Sequence, residues 1–376
     1  MRRIIYLLIP LLILINGCAT YVDVKVLKPS TINLGDIRNL AVSDFEFVGS
    51  WSFDEKEEPE TISEIAKEAL KKSLDIIEDV IEPPDPHTAF PGKDVSAKFI
   101  TKLIENGHYS VIERDILYKL LAEQKLSMSG IINDDNTTRL GEMLGVDAFI
   151  IGSGNYSVND DGGWYQRTKD DKQYVYYRIN RKVTVQLTYK IISVETGEII
   201  ASKENSAKNY DTSDLTRAIF NNQFFDYIEA IDEKTARSKI PEWQPIVNKL
   251  TDKLIKKSIK QIAPYYSKTS REIKTGNSHS MKTGLEFAKR KLWEDAKESW
   301  ESVLTDNSPN ARQDRIHAMY NLGVYNEINS ELDIAEEYFE KCFEMSGRNE
   351  YLDARVRIQK RKKELQKLQE QQQLND

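Results

Sequence analysis

Residues 175–202, VYYRINRKVTVQLTYKIISVETGEIIAS, decide the fold class. Val175, Tyr177, Ile179, Val183, Val185, Leu187, Tyr189 and Ile191 take one parity, and Tyr176, Arg178, Asn180, Lys182, Thr184, Gln186, Thr188 and Lys190 take the other. Side chains alternate across an extended chain, so this is a long strand with one buried face and one wet face. Arg181 breaks the pattern, a charge on the apolar parity. Val194–Gly197 reads as a turn, and Glu198–Ser202 returns as a hairpin partner.

Upstream of this strand, helical and extended periods alternate. Val95, Phe99, Ile100, Leu103 and Ile104 share a helical face, and Gly107 supplies a left-handed stop. Tyr109–Ile112 and Ala148–Gly152 read as strands, separated by one helix at Ile116–Leu121 and another over about 136–144. Residues 37–47 form an earlier strand, after an extended stretch at 18–36 that reads as an N-terminal tether. A segment of about 50–90 interrupts the order as an insertion, with a capping box at Thr61–Glu64 and a breaker-rich Glu82–Pro86. Downstream, 212–240 is aromatic-rich and charged and leans helical, and 208–241 has no assignable fold. A firm helix follows at 245–262, with Val247, Leu250, Leu254, Ile255, Ile259 and Ile262 on one face. These elements predict an α+β or α/β domain over 37–265, a mixed sheet with packed helices.

Residues 266–279 are polar and read as a linker to a second, all-α domain. There Gly284, Ala296 and Trp300 match Gly323, Ala335 and Phe339 at the same internal spacing, with Phe287 added in the first copy and Leu322 in the second. The copies lie 39 residues apart, the surplus over a 34-residue period being assigned to Thr305–Arg312. The pattern over 280–347 resembles the tetratricopeptide repeat, in which small residues let two antiparallel helices approach and an aromatic fills the groove beside them. Residues 348–376 read as a capping helix and charged tail. Concave helical-repeat surfaces recruit proteins, so a protein partner is expected here.

The first seventeen residues read as an export signal. Arg2 and Arg3 precede an apolar run from Ile4 to Ile15, too short to span a bilayer. Ile15-Asn16-Gly17-Cys18 resembles a lipobox, which implies cleavage before Cys18 and covalent diacylglycerol and acyl lipid on that cysteine. No other cofactor is expected. Acylation of Cys18 leaves Cys342 without a disulfide partner. Cleavage removes two positive charges from a chain of net charge −7, leaving −9 and disfavouring nucleic acid as a partner. Partners are therefore a membrane, through the lipid, and protein, with a homo-oligomer compatible. The outer membrane, facing the periplasm, is the expected destination, because Ala19 replaces the retention aspartate of enterobacterial sorting.

No catalytic or metal constellation stands out. His87, His108, His279 and His317 are scattered, and neither Gly152-Ser153-Gly154 nor Asp160-Asp161-Gly162-Gly163 has ligand spacing; both read as turns. Glu113-Arg114 reads as a structural ion pair or as solvated charges, and Cys342 as a core residue. Phe220, Phe224, Phe225 and Tyr227 offer either a contact surface or core packing. A non-enzymatic protein is expected.

Residues 111–155, VIERDILYKLLAEQKLSMSGIINDDNTTRLGEMLGVDAFIIGSGN, resemble the CsgG family, envelope lipoproteins named for the curli secretion channel. The matching pieces are Val111–Arg114, Leu120–Gln124, Ser129–Asn133, Leu140–Asp147 and Ile151–Ser153, and Ile192–Ser202 resembles the family's hairpin. The resemblance implies an envelope accessory or scaffold for assembly or transport. It leaves open a curli-type oligomeric secretion channel and an activator of a cell-wall synthase. A channel needs paired strands of about 9–11 residues with a lipid-facing side. In the sequence the arms around 168–172 look too short, Arg181 falls on the apolar parity, and 208–241 is rich in charge. No pore by this chain alone is the expectation.

Overall fold

The computed structural model describes residues 20–55, 92–112, 145–170, 172–221, 224–229, 234 and 238–373. The elements in order are β1 (Thr20–Lys28), β2 (Asn39–Val42), β3 (Glu46–Glu55), α1 (Gly92–Asn106), β4 (Ser110–Val111), β5 (Ala148–Lys169), β6 (Lys172–Ser193), β7 (Ile199–Asn221), β8 (Phe224–Glu229), α2 (Trp243–Ile262) and β9 (Tyr265–Ile273). Five α-helices follow: α3 (His279–Lys289), α4 (Trp293–Leu304), α5 (Arg312–Ile328), α6 (Leu332–Ser346) and α7 (Asn349–Gln373), with a 3₁₀ turn at Pro309–Ala311. Two compact units result, one of residues 30–264 and one of 1–29 with 265–376. The architecture is α+β followed by an all-helical region, as the periodicity predicts.

In the first unit the sheet order is β4-β2-β5-β6-β7-β8, with β3 also on β5. Tyr177, Ile179, Val183, Val185, Leu187, Tyr189 and Ile191 are buried, while Lys182, Thr184, Gln186 and Thr188 are not. Val95, Phe99 and Leu103 of α1 and the predicted face of α2 join the same core. Ile104 is solvent-exposed, so the α1 stripe is narrower than its spacing predicts. Gly107 ends that helix at φ +75°. Asn205 is matched under α2: its Nδ2 donates to Ser258 Oγ at 3.1 Å and to Gln261 Oε1 at 2.9 Å, and Tyr189 Oη donates to Gln261 Oε1.

Several expectations change. The strand at 37–47 is two strands, β2 and β3, interrupted at 43–45 because the chain moves to a second stretch of β5. β3 continues to Glu55, so the predicted insertion begins later than residue 50; its remainder, 56–91, lies outside the described residues. The strand expected at 148–152 runs to Lys169, which makes both Gly152–Gly154 and Asp160–Gly163 strand interior and not turn. Residues 212–221 are strand, not helix, and β8 follows. Bulges near Tyr177 and Ile219 and frequent charges hide the period there.

In the second unit the stretch read as a tether and the stretch read as a linker pair with each other. β1 and β9 form an antiparallel ladder from Thr20↔Ile273 to Lys28↔Tyr265. The polar residues of β9 lie on a partly wet ribbon face, and its partner strand is 237 to 253 positions away. Neither property is visible in a local window.

Candidate functional site

The two copies expected from Gly284 and Gly323 are two helix pairs, α3–α4 and α5–α6. A Cβ on Gly284 would stand 2.4 Å from Trp300 Nε1, and one on Gly323 would stand 2.7 Å from Phe339 Cε1. Ala296, Trp300, Leu322, Ala335 and Phe339 are buried in one cluster, with Phe287 packed partly against it. The repeat extends to the backbone. Lys291 and Ser330, one period apart, both adopt left-handed φ, +64° and +66°. Leu292 N donates to Phe287 O at 3.0 Å, and Glu331 N donates to Asn326 O at 2.9 Å, the same bond one period on. The surplus residues fall between α4 and α5, where the 3₁₀ turn sits.

A buried carboxylate ties the ribbon to these helices. Glu327 of α5 accepts from Arg271 of β9 and from Arg357 of α7, with closest distances of 2.6 and 2.9 Å. Asp314 accepts from the N–H groups of Asn277 and Ser278; burial raises its pKa, but those donors outweigh it and the net shift is downward. Glu336 of α6 is held down to about 2, first by the Lys362 ammonium and then by Arg355, both from α7. Cys342 is fully buried, and that burial pushes its thiol up to about 12.

In the sheet unit Arg181 does face the apolar side, and Asp160 stands opposite it across β5 and β6. Nε and Nη2 of Arg181 each donate to Asp160 at 2.8 Å, its Nη1 donates to Pro241 O at 2.6 Å, and Trp51 Nε1 donates to Asp160 Oδ2 at 3.0 Å. Both side chains are essentially inaccessible, 4% and 0% exposed. A charge that looked unfit for an apolar face is thus matched within the core. Gly152 and Gly154 leave room for rings: a Cβ would meet Phe45 at 2.3 Å or Phe47 at 2.6 Å.

Beyond Asp160 the strands continue as hairpins. β5 and β6 stay paired out to Lys169↔Lys172, and β7 and β8 to Asn221↔Phe224, so the paired ends of four adjacent strands lie together at one end of the sheet. The backbones of Phe220, Phe224, Phe225 and Tyr227 lie in β7 and β8.

Among the described residues, no three His, Cys, Asp or Glu side chains cluster for a metal, and no helix is long and apolar enough to cross a membrane. A groove of about 270 Å³ between α1 and α2 is lined by Lys98 and Asp252, which pair at 3.2 Å. The leader, Cys18, His87 and Glu113-Arg114 lie outside the described residues.

The family model described as "Curli production assembly/transport component CsgG" matches residues 83–281, more than half of the chain. The chain belongs to the CsgG family. A second model, a domain of unknown function (DUF6340), matches 282–369, where the sequence resembles tetratricopeptide repeats. Solved structures similar to this CsgG-family chain include the LpoB C-terminal domain from Salmonella enterica, 13% identical over 46% of this chain and 83% of that one, with TM-score 0.21. The PelC dodecamer from Paraburkholderia phytofirmans is 10% identical over 65% and 99%, with TM-score 0.26. Lipoprotein GNA1162 from Neisseria meningitidis is 8% identical over 46% and 83%, with TM-score 0.23. No curated protein matches the chain.

The CsgG-family match begins after β3, whereas the sequence resemblance spans roughly 37–265 apart from the 50–90 insertion. Much of the motif run, 113–144, lies outside the described residues. Its described end has a clear local role. Asp147 Oδ2 accepts from the N–H groups of Arg38 and Asn39 at 2.7 Å each, fixing the start of β2. In the hairpin motif, Gly197 takes φ +70° and Thr196 Oγ1 accepts from Glu198 N at 3.3 Å.

Proposed function

We propose that this CsgG-family chain is a non-enzymatic lipoprotein of the cell envelope. It is held at the outer membrane by lipid on Cys18, facing the periplasm, and serves as a scaffold or accessory for assembly or transport. The observation that carries the recruiting role is the repeated helix pair, in which Gly284 on Trp300 and Gly323 on Phe339 recur with the same turn. Such pairs are tetratricopeptide-like in packing and present a surface for a protein partner. The test is in vivo crosslinking in the host bacterium with photoreactive residues on exposed positions of α3–α6. Adducts of discrete mass, lost on Cys18→Ala through mislocalisation, support the reading. Absence of any adduct from all positions overturns the recruiting role.

A second reading, an oligomeric secretion channel, is favoured by the four-stranded extension. Three of its strands, β5, β6 and β7, are long enough for a membrane barrel once β5 is seen to run unbroken to Lys169, while β8 is described over only six residues. Arg181 no longer argues against it, since its charge is matched by Asp160 within the packed part of the sheet. Planar bilayers separate the two. Stepwise conductance from lipidated protein, abolished by deleting residues 165–176, supports the channel; silence under both conditions supports the scaffold.

A further inference from the structure

We propose that the lipid on Cys18 holds the helical unit at the bilayer, with the Thr20–Ile273 end of the β1–β9 ribbon against the headgroups. This rests on the anchor reading above. Ala19 alone separates Cys18 from β1, so the lipidated residue lies within two Cα steps, about 8 Å, of the ribbon's first pair.

β1 is not a tether that can be paid out. All nine of its residues are in register with β9. Val22 and Val24 are buried, and Val22 shares the helical core with Ile273. Arg361 Nη1 donates to Leu27 O at 2.6 Å, and Lys28 meets Glu364 at 2.8 Å, so α7 clamps the same strand at its far end. Releasing β1 would expose those valines and open the whole ladder. The ribbon is about 30 Å long, and the chain leaves for the sheet unit from the Lys28–Tyr265 end, opposite the anchor.

The near end suits a lipid surface of either charge. Tyr21 is 62% exposed there, and tyrosine's apolar ring and polar tip favour the headgroup zone. Lys274 beside it is already paired with Glu272 and Glu350, each at 2.9 Å, and so presents no unmatched ammonium to anionic lipid. Phosphatidylcholine vesicles are therefore a sufficient surface.

The experiment uses lipidated full-length protein on phosphatidylcholine vesicles doped with headgroup-spin-labelled lipid. One fluorophore is placed at Thr275→Cys, exposed at the near end, or at Tyr266→Cys, exposed at the far end. Cys342 is buried and Cys18 acylated, so neither takes the label. The expected result is several-fold stronger quenching at 275 than at 266. That difference should collapse in V22D/V24D, which loosens β1 while the protein still co-floats. Equal or reversed quenching in protein that co-floats overturns the proposal alone. Failure of the wild type to co-float overturns the anchor and the proposal with it.

Discussion

Arg181 is the residue at which the sequence misleads most instructively. A lone charge on an apolar parity reads as a defect until Asp160, more than twenty positions away, is seen directly opposite it. Removing one partner leaves a buried charge unmatched, so Arg181→Met or Asp160→Ala should each destabilise the sheet unit by about 3–5 kcal/mol. Replacing both with Met and Leu should recover most of that loss. Urea melts of the full chain, followed by intrinsic fluorescence, check it; single variants within 1 kcal/mol of wild type would show that the pair carries little. At the other unit, Gly284→Ala places a methyl against the Trp300 indole, and Ala296→Leu or Ala335→Leu overfills the helix contact. Each should cost roughly 1–3 kcal/mol by overpacking, read as a lower melting temperature of the helical unit. Unchanged melting in all three would mean that these helices do not meet closely.

Among the elements, the α6–α7 contact is pH-sensitive in a defined direction. Glu336 is stabilised in its charged form by Lys362 and Arg355, well below the ordinary carboxylate value of 4.5. A depressed carboxylate contributes stability that is complete above its unfolded pKa and is lost as pH falls towards its folded one. The helical unit should therefore weaken between about pH 4.5 and 2, and Glu336→Gln should flatten that limb while lowering stability at neutral pH. Parallel limbs in a melting-temperature series would refute the assignment. Elements built from local period were legible: β6, α1, α2 and the helix pairs emerge from spacing alone. Elements made by distant pairing were not. β9 reads as a linker because Ser, Thr and Lys suffice on a ribbon whose stability comes from backbone bonds to β1 and from Glu327 beneath Arg271. The distal half of β7 reads as helical because a bulge near Tyr177 shifts its register against β6 and charges fill one side. The left-handed turns at Lys291 and Ser330 carried no glycine to announce them. Of the candidate site, the Gly–aromatic pairs were legible from spacing, while the Arg181–Asp160 pair needed register.

The whole chain has a nested order that the linear sequence conceals. Residues 30–264 are inserted between β1 and β9, so the helical unit is discontinuous and its first strand precedes the sheet domain. The two crossing points lie together: Ile32 N donates to Gln261 O at 2.8 Å, and Lys28 is paired with Tyr265. An insertion whose ends meet can be excised. Joining Lys28 to Tyr265 through an Asn-Gly dipeptide would turn the ribbon into a two-residue hairpin, whose backbone twist matches antiparallel strands. That chain, 20–28 joined to 265–373, should fold and melt cooperatively, because it keeps Val22, Val24, Ile273 and the Arg271–Glu327–Arg357 cluster. A fragment of 275–376, the natural cut if 266–279 were a linker, lacks the ribbon and leaves Glu327 without Arg271. It should melt lower and more broadly. Circular dichroism of the two purified fragments decides it. If 275–376 melts at the same temperature and as sharply as the spliced chain, β1 contributes nothing to the helical unit, and the nested order has no energetic weight.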